Sequence, residues 1–152
     1  MKQFRRMLIT GLMALSVSGF AAGANVGSAD EAVAMVKRAA AYLKEQGKDK
    51  AYAEFNNPAG RFKDRDLYVA VLDANGVTLA HGGNSKVVGK AMIDLKDIDG
   101  VYFVRKFLEI GNAKGSGWVD YKWPNPVSKV LEQKTTYVEK VGDVVIICGA
   151  YK

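Results

Sequence analysis

Cysteine and histidine are almost missing from this chain. Of its 152 residues only Cys148 is a cysteine and only His81 a histidine. One cysteine excludes an internal disulfide framework, a cysteine-rich zinc site, a C-x-x-C redox motif and a C-x-x-C-H haem attachment. One histidine excludes H-E-x-x-H and the other multi-histidine metal sites. Lysine and arginine never form a block long enough to argue for a nucleic-acid groove, so no nucleic-acid partner is expected. Internal repeats and low-complexity tracts are absent too. With 49% apolar and 25% charged residues, wholesale disorder is excluded, and the length suits one folded domain.

What is present begins with a targeting pattern. Lys2, Arg5 and Arg6 precede an uncharged apolar run over residues 7–20, and Ala22-Gly23-Ala24 offers small residues for cleavage. This is the layout of a secretory signal peptide over residues 1–24, cut after Ala24. The apolar run falls short of the ~20 residues of a membrane-spanning helix. The expected mature chain is 25–152, in the periplasm. Half of the net charge of +6 leaves with the signal, and the rest is ordinary.

The mature chain reads as helix, short helix, two strands, helix, three strands. Ser28 with Glu31 makes a capping box, and Ala32, Val33, Val36, Ala39, Ala40 and Leu43 recur at helical spacing, so helix 1 spans 29–46 and stops at Gly47. Asp49 is expected to cap a short helix carrying Ala51, Tyr52 and Phe55. Residues 67–73 are nearly all apolar, as in a strand buried on both faces. Asn75-Gly76 signals a hairpin with a return strand over 77–81. A glycine-rich loop over 82–93 and an acidic turn over 94–100 lead to an amphipathic helix over 101–111, ended by Gly111 and Gly115. Strands over 116–123, 132–141 and 144–151 can form an antiparallel meander.

Several residues invite a chemical reading. His81 is either a turn histidine or a hydrogen-bond donor at a pocket mouth, neutral or charged near pH 7. Tyr121 and Trp123 share one strand face; they are core, or the walls and polar handles of a small-ligand pocket. Lys134 is a solvated strand lysine or a cation awaiting a carboxylate. Tyr137 joins Lys134 in one pocket only if a β-bulge lies between them. Cys148 reads as a small buried apolar residue. Gly83-Asn84-Ser85-Lys86-Val87-Val88-Gly89-Lys90 fails as a phosphate loop, because the glycine spacing is wrong and Ala91 stands where Ser or Thr is needed. Asp97-Ile98-Asp99-Gly100 lacks ligands of a calcium loop and reads as a turn. No metal and no cofactor is expected.

Taken in order, Asp66-Leu67-Tyr68-Val69, Leu79-Ala80-His81, Val88-Gly89-Lys90, Asp97 with Gly100, Gly115-Ser116-Gly117-Trp118-Val119-Asp120-Tyr121, Trp123-Pro124-Asn125-Pro126, Lys134-Thr135-Thr136-Tyr137-Val138 and Gly149-Ala150-Tyr151 resemble the single Cache domain of bacterial extracellular sensors. The resemblance implies an α+β, PAS-like fold, in which a five-stranded antiparallel sheet is packed by a long N-terminal helix and a connecting helix. It implies a pocket for a short carboxylate or related metabolite, and signalling through a membrane chemoreceptor, a sensor kinase or another periplasmic protein. His81, Phe103, Tyr121, Trp123, Lys134 and Tyr137 are the candidate ligand-binding residues. Gly82 follows His81 where the family often has proline. The expectation is a stand-alone secreted binding protein, not an enzyme, which can dimerise along helix 1. Two rivals stand beside it: an accessory subunit of a periplasmic complex with a vestigial pocket, and a hydrolase using His81 as base.

Overall fold

The structure, a computed structural model, describes residues 26–152; the expected signal segment lies outside them. Helix α1 (Ala29–Gln46) starts at the expected capping box: the Ser28 hydroxyl accepts from the Glu31 amide at 3.2 Å, and the Glu31 carboxylate accepts from the Ser28 amide at 2.8 Å. Its stripe of Ala32, Met35, Val36, Ala39, Ala40 and Leu43 is buried. Gly47, at φ 79°, ends α1 and begins α2 (Lys48–Asn56). Asp49 therefore sits in the first turn of α2 and not at its cap, contrary to expectation.

Five main strands follow: β2 (Leu67–Asp73), β3 (Thr78–His81), β4 (Ser116–Pro124), β5 (Leu131–Val141) and β6 (Val144–Tyr151). They lie antiparallel in the order β3-β2-β6-β5-β4, the PAS-like arrangement, with β4 to β6 as the expected meander. A two-residue strand β1 (Lys63–Asp64) extends the sheet beside the start of β2. The turn between them needs Arg65 at φ 56°, which arginine signals poorly, so β1 was not legible in advance.

The connecting helix α3 (Phe103–Lys114) begins and ends later than the expected 101–111. Gly111 does not stop it. A Cβ there would lie 2.8 Å from Val145 Cγ1, so this glycine lets α3 approach β6. Gly115, left-handed at φ 77°, is the true stop, and its amide donates to Gly111 O. Before α3, Asp97 accepts from the amides of Asp99, Val101 and Lys122, which makes the acidic turn and ties it to β4.

The sheet separates two cores. Alternation sends Leu67, Val69, Val71, Ile146 and Cys148 toward α1 and α2, and Ala70, Leu72, Val119, Val138 and Val145 toward α3. Every residue of β6 is buried. The α3 side widens near Trp123 and His81, and there the second core gives way to a cavity.

Candidate functional site

Five of the six candidate residues meet around one cavity between the sheet and α3: His81, Phe103, Tyr121, Trp123 and Lys134. Register explains it. Tyr121 and Lys134 are directly paired across β4 and β5, and Lys134 is paired with Tyr151 across β5 and β6. Tyr121 stacks on Phe103 with ring centres 4.5 Å apart, and Trp123 meets Phe103 edge to face at 5.2 Å.

Tyr137 is the exception and a correction. Pairing of β5 runs unbroken from Leu131 to Glu139 with β4 and from Lys134 to Val141 with β6, so no bulge intervenes and alternation points Tyr137 toward α1. Its ring lies 5.3 Å from Trp118, and its hydroxyl donates to Glu139 at 3.1 Å.

Lys134 is only 2% exposed. Its stem lies over Gly149, where a Cβ would come within 2.2 Å of Lys134 Cε; the bare backbone of β6 makes room for it. Nζ donates to Tyr68 Oη at 2.8 Å and to Tyr151 Oη at 3.3 Å. It also lies 4.0 Å and 4.7 Å from the centres of those two rings. Tyr151 in turn donates to Pro124 O at 2.9 Å. Both partners are neutral phenols, held protonated because burial raises their pKa values. Burial pulls Lys134 down to about 7, with Cys148 and Asp66 opposing weakly through space. Asp66 itself is buried, with its oxygens accepting from the Gly27 amide at 2.7 Å and the Asn125 side chain at 3.4 Å.

His81 has a fixed tautomer. Its Nδ1 accepts from the amides of Gly83 at 3.2 Å and Asn84 at 2.8 Å, so the ring proton must sit on Nε2. Burial, with Lys134 nearby, lowers its pKa to about 3. Among the described residues, no serine, threonine or cysteine side chain is hydrogen-bonded to this ring. Cys148 is buried, its thiol pushed up to about 12 by burial, with Sγ 3.8 Å from Met35 Sδ.

The cavity has an inner chamber of about 30 Å³, walled by Ala70, Leu72, Met92, Phe107 and Ile147, enough for water or a very small group. Outside it, a cleft of about 290 Å³ runs past Tyr68, His81 and Trp123 to Asn125 and Lys129. Charge and hydrogen-bond donors thus stand between an apolar interior and a wet mouth. Sequence reasoning missed Tyr68, Tyr151 and Thr136 as neighbours of Lys134. The available signal was register: once the meander is accepted, Tyr151 falls opposite Lys134. Groups of acids, cysteine and histidine that could hold a metal are absent among the described residues, and no described helix is long and apolar enough to cross a membrane.

Comparison with known proteins places this geometry. Residues 24–152 match the family model of the single Cache domain 2. The methyl-accepting chemotaxis protein McpP of Pseudomonas putida is 25% identical over 76 residues, which is 50% of this chain but only 14% of that receptor's length. A methyl-accepting chemotaxis protein from Vibrio parahaemolyticus superposes with a TM-score of 0.70 at 23% identity, covering 80% of this chain and 86% of the other. The periplasmic sensor domain of a chemotaxis protein gives 0.64 at 25% identity, covering 80% and 88%. A Cache chemosensory domain solved for its carboxylic acid recognition gives 0.70 at 23% identity, covering 80% and 91%. The chain therefore belongs to the single Cache domain 2 family, and residues 24–152 are a single Cache sensor domain homologous to the periplasmic ligand-binding domains of chemotaxis receptors.

Proposed function

We propose that this protein binds a short carboxylate in the periplasm and reports it to a membrane chemoreceptor, a sensor kinase or another periplasmic partner, without catalysing a reaction. One observation carries the reading: Lys134, a buried amine bonded only to phenols, lines the cavity. A carboxylate supplies the missing anionic partner, and a hydrogen bond to a charged group contributes about 1.5–3 kcal/mol. The Nε2–H of His81 and the phenol of Tyr68 add donors, while the Tyr151 hydroxyl proton is held by Pro124 O. Phe103, Tyr121 and Trp123 wall the short apolar tail. The solved Cache domain that recognises a carboxylic acid supports the same ligand class. Against a hydrolytic role, no serine, threonine or cysteine among the described residues is hydrogen-bonded to the His81 ring, and its lowered pKa makes it a poor base near pH 7.

Calorimetric titration with acetate, propionate and succinate at pH 6 tests this. At least one acid is expected to bind and raise the melting temperature, and Lys134→Met is expected to weaken it about tenfold to a hundredfold. The small inner chamber favours a second reading, an accessory protein whose pocket is vestigial. No binding by any acid, with Lys134→Met equally inert, would select that reading.

A further inference from the structure

We infer that an anionic ligand enters this pocket together with one proton, and that the proton lands on Lys134 and not on His81. The inference rests on the carboxylate reading above and adds the charge accounting of the same site.

The geometry distinguishes the two bases. Every side chain bonded to Lys134 Nζ is uncharged: Tyr68 from β2 and Tyr151 from β6. The other titratable groups packed on the site are His81 from β3, Tyr121 from β4 and Cys148 from β6; α3 contributes only apolar side chains to the lining. Burial keeps Tyr121 and Cys148 protonated and uncharged. Asp66, in the turn between β1 and β2, spends its carboxylate on the Gly27 amide and the Asn125 side chain and pairs with no cation at Lys134. An ammonium ion in this setting loses water without gaining an anion, so the free amine is favoured until an anion arrives. The direction of burial at Lys134 agrees.

His81 cannot share this role. Its Nδ1 lone pair is already held by two backbone amides, and protonating it would break both bonds and set N–H against N–H. His81 stays a neutral donor through Nε2. The pocket therefore offers one convertible cation. A carboxylate binds to the ammonium form, the proton comes from solvent onto the Lys134 lone pair, and the complex is neutral overall.

The test has a ligand-free arm and a ligand arm. In the apo protein, the 13Cε signals of labelled lysines are followed by NMR across pH 5–11. One lysine is expected to titrate near 7, and its signal to vanish in Lys134→Met, whose thermal melt reports folding. Titration of that lysine near 10.5 would overturn the inference. In the ligand arm, propionate is titrated by calorimetry in two buffers of different ionisation enthalpy at each pH, EPPS and Tris at the higher pH and MES and bis-Tris at the lower. Uptake of about one proton is expected at pH 8.5 and almost none at pH 6, and affinity at pH 9 is expected to be about a hundredfold weaker than at pH 6. Lys134→Arg, with its permanent charge, should bind without proton uptake; uptake that persists in this variant would assign the proton to His81 and refute the inference. Binding by wild type with no buffer dependence would overturn the inference alone. No binding of any acid would overturn the carboxylate reading and the inference together.

Discussion

His81 shows how one residue's role is set by backbone geometry. Its ring accepts the amides of Gly83 and Asn84, so the loop after β3 is folded onto the imidazole. The ring is neutral in the folded protein down to about pH 3, whereas an unfolded histidine is protonated below about 6.5. The unfolded chain thus binds the extra proton between those values, and stability falls as pH drops from about 6.5 toward 3. Lys134 acts with the same sign in a different window. Below about 7 the apo protein carries a buried ammonium; between about 7 and 10.5 the unfolded chain holds a proton that the folded one has released, so stability rises with pH. Apo Lys134→Met is predicted to melt above wild type at pH 6, by roughly 1–4 kcal/mol, and the gain should shrink toward pH 10. Melting curves at both values check it; a gain that does not change with pH would mean that Lys134 does not titrate in this window. For His81→Ala, hydrogen exchange at Gly83 and Asn84 is predicted to speed up at least tenfold while β5 and β6 keep their protection. These roles were only half legible in the sequence. The lone histidine and the β5 lysine could be singled out, but His81's tautomer depends on a loop conformation that no side-chain pattern encodes.

At the scale of elements, two glycines at the end of α3 do different work. Gly111 is bare because α3 lies against β6, whereas Gly115 is bare because the chain turns left-handed there, with open space where a Cβ would stand. Gly111→Ala forces the Val145 contact apart and is predicted to cost about 1–3 kcal/mol. Gly115→Ala meets no atom within 4 Å and carries only backbone strain, predicted at about 1 kcal/mol. Denaturant melts of both variants check the ranking, and a reversed order would mean that α3 can shift away from β6 without loss. From sequence both glycines look like stops, since spacing alone does not tell a close helix–sheet approach from a cap. The strands read better. β2 is apolar from Leu67 to Leu72 because both faces are covered, and β4 alternates with Trp118 41% exposed outside and Tyr121 buried within. Tyr137 faces α1 and not the pocket for the same reason: with no bulge, the period of two prevails.

At the scale of the whole molecule, two segments line the mouth of the pocket, the loop after β3 and the loop between β4 and β5, and a third, the segment entering α1, is tied to the second. Asp66 joins two of them, accepting from Gly27 ahead of α1 and from Asn125 in the β4–β5 loop. Asn125 organises that loop through the amides of Val127 and Ser128 and through Glu132. Tyr151 links the same loop to Lys134 through Pro124 O. Lys134 therefore reaches, within two hydrogen bonds, the start of the loop that Asp66 ties to the segment entering α1. The central strands β2 and β6 beneath are packed on both faces and have little freedom to respond, so a population shift on binding should be confined to these loops. Hydrogen exchange of the protein with and without saturating propionate is predicted to show added protection at 82–100, at 124–131 and at Gly27 and Ser28, with little change in β5 and β6. In Asp66→Asn, which keeps the shape but weakens the charge-assisted bond, protection at 82–100 should persist while that at Gly27 and Ser28 fades. Protection that spreads evenly over the sheet would mean that the ligand stabilises the domain as a whole, and that no route runs from the pocket to α1.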